Sequence, residues 1–139
     1  MTYAISQPLQ AALFQRLMAD APLAALAGEH IYDALPPGTL PPLYVALGPE
    51  TARDRSDQTG RGAEHDVTVS VVTDAAGFAQ AKAAAAAVSD ALLHAALPLS
   101  RGHLVSIRFL RAQAARRGDT RQIDLIFRAR VEDDAAPQP

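Results

Sequence analysis

The chain has 139 residues, of which 49% are apolar and 20% charged, with no cysteine, a net charge of −2 and a pI near 6.0. A chain of this size buries roughly two thirds of the surface its unfolded form exposes, so one self-sufficient core is expected. The missing cysteine excludes disulfides, thiolate zinc sites, iron–sulfur clusters and cysteine nucleophiles, the acidic balance argues against an electrostatic nucleic-acid binder, and no apolar run approaches the roughly 20 residues of a spanning helix. The N-terminus lacks the basic-then-apolar pattern of a secretory signal, so synthesis in the cytoplasm and no membrane partner are expected.

Leu9, Leu13 and Leu17 recur at four-residue spacing, which predicts an amphipathic helix from Ser6 to Ala19 with Ser6 as its cap and Pro8 in its first turn. Asp20 is placed to cap a second, short helix with Pro22 in its first turn, ending at about Ala27 before Gly28. Pro36, Pro37, Pro41 and Pro42 then forbid helix, leaving a candidate short strand at His30 to Tyr32, outside the main count of strands, and a better one at Leu43 to Leu47. Residues 49–64 mix both charge signs with two glycines and few large apolar groups, and read as a long exposed loop or flexible hairpin.

Val67, Val69 and Val71 alternate with smaller or polar residues, the period of a half-buried strand. Asp74 is placed to cap a helix running through the alanine tract to about Ala96, with Phe78, Ala81, Ala85, Val88, Leu92 and Ala95 on one face. Burial of alanine contributes little, so Phe78, Val88, Leu92 and Leu93 should dominate its docking. Two more strands, Leu104 to Ala112 and Arg121 to Val131, flank a short, turn-like linker centred on Ala115, Arg116, Arg117, Gly118 and Asp119 and form an antiparallel hairpin. The order predicts an α+β fold, a four-stranded and mostly antiparallel sheet with helices on one face. Residues 1–131 form one domain in this reading, and 132–139 a flexible acidic tail.

No chemistry converges in the sequence. His30, His65, His94 and His103 fall on separate elements without metal-ligand spacing and read as surface residues. No serine sits in a nucleophile elbow, and no glycine-rich phosphate loop joins a strand to a helix. Asp33 and Asp66 could form a carboxylate pair, but Asp33 fits better as a turn residue before the prolines. The chain reads as non-enzymatic, with no cofactor and no metal. The strongest asymmetry is basic: Arg101, Arg108, Arg111, Arg116, Arg117, Arg121, Arg128 and Arg130 outnumber Asp119 and Asp124 in the last hairpin. Such a surface is either the solvated face of a sheet or a contact with an acidic partner or neighbouring subunit. Arg53, Arg55, Arg61, Arg108, Arg116, Arg117, Arg128 and Arg130 are the interface candidates.

The N-terminal helix, the segment IYDALPPGTLPPLYVALG (31–48), the strand HDVTVSVVT (65–73), the helix DAAGFAQAKAAAAAVSDAL (74–92) and the arginine-rich hairpin together resemble the tail-terminator, or tail-completion, proteins of long-tailed phages and gene transfer agents. The turn D-x-L-P followed by P-x-Y-V-x-L-G is the most specific piece. The resemblance, which covers nearly the whole chain, implies a structural virion protein similar to the tail terminators of lambda-like phages. Such a protein forms a hexameric ring that caps the finished tail tube and meets the head–tail connector. Its partners would be copies of itself, the tube protein and the connector or stopper, with a passing DNA contact in the lumen left open. A connector stopper or a tube subunit is the alternative within virion structure, and a small metal-dependent hydrolase the alternative outside it.

Overall fold

The computed structural model describes residues 3–58, 60–94 and 96–134. Its elements in chain order are α1 (Ser6–Met18), α2 (Ala21–Ala27), β1 (Ile31–Tyr32), β2 (Leu43–Asp54), β3 (Arg61–Thr73), α3 (Ala79–Leu93), β4 (His103–Arg117) and β5 (Thr120–Asp133). The sheet has five strands in the order β1-β2-β3-β5-β4, one more than the sequence reading counted. The added strand is β1, two residues pairing parallel to β2 through Ile31–Val45 and Tyr32–Ala46. All other neighbours are antiparallel.

Alternation along the strands fixes which face is covered. In β5, Ile123, Leu125, Phe127, Ala129 and Val131 are buried, and in β3 Val67, Val69 and Val71 lie beside them. Against this face lie Leu9, Leu13 and Leu17 of α1, Leu23 of α2, and Val88 and Leu92 of α3. The three helices touch one another and share one layer. Among the described residues the opposite face carries no helix.

The alanines at 81, 84, 85, 87 and 91 are all buried, which lets α3 lie close against β3 and β5. Val88 and Leu92 are wholly enclosed, whereas Phe78 and Leu93 are only half-buried at its ends. Helix starts depart from expectation at two points. Ser6 gives its hydroxyl to Glu50 at 2.5 Å and lies inside α1, so Ile5 is the cap residue. Asp74 does not cap α3, because its amide donates to Pro42 O while the Thr73 hydroxyl accepts from Ala75 N and turns the chain; α3 starts after Phe78. Asp20 does cap α2, accepting from Leu23 N at 3.0 Å. The expected helical Ala95 lies outside the described residues.

Of the loop or hairpin expected at 49–64, the structure has the hairpin, and it is mostly sheet. β2 continues to Asp54 and β3 begins at Arg61, with ladder pairs from Glu50–Val67 to Asp54–Ala63 after an irregularity between Leu47 and Glu50. Charged side chains on the uncovered face need no apolar partner, so a polar composition is compatible with strand there. At the C-terminus Glu132 and Asp133, expected in the tail, belong to β5, with Asp133 buried in line with Val131. The Asp133 carboxylate is wholly buried between Arg61 and Arg101, whereas the tail beyond Asp134 lies outside the described residues.

Candidate functional site

The arginines singled out by sequence separate into two classes. On the uncovered face, β3 places Glu64 and Asp66 between β2 and β5. Arg53 Nε meets Glu64 at 2.9 Å and its Nη2 meets Asp66 at 2.8 Å; Arg55 meets Glu64 at 3.2 Å. Arg128 donates two hydrogen bonds to Asp66, at 2.8 and 3.0 Å. The hydrogen bond from Arg53 holds the Glu64 carboxyl below its usual range, and that from Arg128 does the same for Asp66. Arg61 is committed to Asp133. Arg130 has its Nε buried and unpartnered among the described residues. Four of the candidates, Arg53, Arg55, Arg61 and Arg128, are thus committed to the subunit's own carboxylates, and the fifth, Arg130, has its Nε buried.

The second class stands on β4. This strand is an edge of the sheet, and none of its side chains is buried. Arg108, Arg116 and Arg117, together with Arg111, are exposed there, and none forms an ion pair among the described residues. Irregularities at Leu104/Ser106 and Phe109/Arg111 interrupt the ladder to β5, a device that sheet edges use against indiscriminate pairing. Phe109 rests edge-on against Phe127 at 5.8 Å between ring centres, yet is 43% exposed, and Val105 is 46% exposed. The rest of the hairpin's basic residues are occupied: Arg101 pairs with Asp133, and Arg121 donates to Ala75 O and lies over the Phe78 ring.

The opposite edge was not recognised as functional from sequence. β1 is bracketed by Glu29 and Asp33, both exposed. Asp33 accepts a hydrogen bond from Gln10 and takes no part with Asp66, which lies on β3 two strands away. A groove of about 580 Å³ runs beside it, lined by Tyr3, Gln7, Gln10 and Phe14 of the N-terminal segment. The signal available in the sequence was the run 29–42, which holds two acids and no arginine or lysine.

One buried polar cluster stands apart. His65 is wholly buried, contrary to its reading as a surface residue. Its Nδ1 donates to Glu50 Oε2 at 3.2 Å, since an ionised carboxylate only accepts. Glu50 also accepts from Ser6 and from the Tyr3 hydroxyl. Burial alone would raise the Glu50 carboxyl, but the hydrogen bonds from Ser6 and Tyr3 and the neighbouring His65 outweigh it and hold the group below its usual value. Glu50 lies between Ser6 and His65, so the imidazole does not reach the hydroxyl to activate it; the cluster ties the start of α1 to the sheet. No group of three or more His, Asp or Glu side chains converges as a metal site among the described residues.

The geometry is that of a protein whose exposed chemistry lies along its sheet edges. Residues 11–132 match the family model described as tail completion protein gp17. A chain from a structure described as the virion of a native gene transfer agent (GTA) particle is 62% identical, covers 94% of this chain and 99% of its own length, and superposes with a TM-score of 0.88. No curated protein matches. The chain is a structural tail protein and belongs to the tail completion protein gp17 family.

Proposed function

We propose that the protein is the tail terminator of a phage-like particle of the gene-transfer-agent kind. Copies of it form a hexameric ring that closes the finished tail tube and presents the surface that joins the head connector. The observation that carries this reading is β4: a 15-residue edge strand with no buried side chain, four arginines that form no ion pair among the described residues and an exposed Phe109, on a chain 62% identical to a component of a gene-transfer-agent virion. A strand of that length with its outer backbone groups unpaired is an assembly edge. The N-terminal cluster, the Glu64–Asp66 network and the Asp133 ion pairs hold the sheet rigid, and a rigid sheet lets many copies meet in one geometry.

Particles made without the protein test the role. Heads and tails should accumulate unjoined, and adding the purified protein should restore joined particles countable by negative stain. Joined particles forming in its absence would reject the terminator role, and open tubes growing from the purified protein alone would make it a tube subunit instead.

A further inference from the structure

The two edges of the sheet carry opposite, uncompensated charge at matching heights. β4 holds Arg108, Arg111, Arg116 and Arg117 and no acid, while the run 29–42 around β1 holds Glu29 and Asp33 and no lysine or arginine. The ladder sets the heights. Ile31 pairs with Val45, Val45 with Val71, Val71 with Ile123 and Ile123 with Ala114, so Ile31 and Ala114 end one row across the sheet. By the same pairings β1 and β4 run antiparallel. Glu29, two residues before Ile31, and Arg116, two residues after Ala114, are therefore displaced toward the same end. Asp33 and Arg111 are both displaced toward the other end.

From this juxtaposition we infer that the β4 edge of one subunit docks on the β1 edge of the next, head to tail, with Arg116 facing Glu29 and Arg111 facing Asp33. The inference rests on the ring reading and names the contact that builds it. Apolar groups accompany the charges on both sides: Val105 and Phe109 on β4, and Leu26 and Leu35, 37% and 52% exposed, beside β1. A groove lined by Tyr3, Gln10, Phe14 and Asp33 adjoins the β1 edge. A contact between two different patches of one surface is heterologous, the class that closes into rings; two β4 edges meeting each other would set arginine against arginine and are disfavoured.

Charge reversal tests it. The variant Arg111→Glu/Arg116→Glu should lower the assembled fraction by about tenfold or more, and so should Glu29→Arg/Asp33→Arg, because like charges then face each other. All four changes in one chain should restore assembly, with far-ultraviolet circular dichroism confirming that each variant is folded. A cross-linking arm needs no charge change, since the chain has no native cysteine. Arg116→Cys mixed with Glu29→Cys should give a disulfide dimer, and neither variant alone should. If wild-type protein assembles but the quadruple reversal is no better than the doubles and the mixed dimer does not form, the edge pairing is wrong and the ring reading stands. If wild-type protein and the mixed variants stay monomeric both alone and on tail tubes, both fall.

Discussion

Arginine at one position is an internal tie and at another, a few residues away, a free contact, and the difference lies in what the neighbouring strand carries. Arg128 faces Asp66 across the β3–β5 ladder and donates to it twice, whereas Arg116 lies on a strand with no partner beyond it. A glycine shows the same dependence on neighbours. Gly102 has a φ of +70°, and a Cβ there would lie 2.4 Å from Glu132 O and 2.6 Å from Ile5 Cδ1. Close approach at this point brings Arg101 onto Asp133. Gly102→Ala is expected to destabilise the fold by about 1–3 kcal/mol through strain and steric conflict, read as a lower urea midpoint. Gly118, with a φ of +61° but open space around it, should lose less on the same change. Equal midpoints for the Gly102 variant and wild type would show that the approach is not close.

Strand β3 is the element on which the sheet's electrostatics turn. Its Glu64 and Asp66 have carboxyls held below their usual values by Arg53 and Arg128. Unfolded, these groups titrate near about 4.3 and 3.9. With folded values below those, their stabilisation is complete above about pH 5 and disappears as pH falls through the folded values. Wild-type melting temperature should therefore drop on acidification from about pH 5 to about pH 3, and Glu64→Gln/Asp66→Asn should drop less steeply over that range. Parallel curves would mean that the network adds no pH-dependent stability. Glu50 shifts in the same direction but is common to both proteins and cancels in the comparison.

The elements with apolar periodicity were legible in the sequence: α1, α2, α3, the valine strand and the last hairpin all form, although α3 begins only at Ala79 and β4 runs on through Ala115, Arg116 and Arg117, where the linker was expected. The polar halves of β2 and β3 were not, because side chains on an uncovered face need only pair with one another, and Arg53 with Glu64 gives no apolar signal. β1 lies within the short strand expected at His30 to Tyr32, but at two residues it carries no period that would add it to the sheet's count. The arginine excess was visible, but which arginines are free depends on cross-strand neighbours, and register is not written in composition. His65 was misread for a related reason: a histidine buried by Tyr3 and Glu50, from segments far apart in sequence, has no local signature.

At the scale of the whole molecule, the fold leaves two dissimilar sheet edges and one open face, and dissimilar edges call for heterologous contact. Around a symmetry axis such contacts close, while along a screw they extend into a tube. The direct measurement is the mass and symmetry of the purified protein, by light scattering and negative stain, alone and on isolated tail tubes. A closed ring is expected, of six times the 14.7 kDa subunit mass, in solution or seated on the tube end. A two-fold dimer, an open tube, or a monomer under both conditions would contradict a protein that acts by closing a ring through its sheet edges.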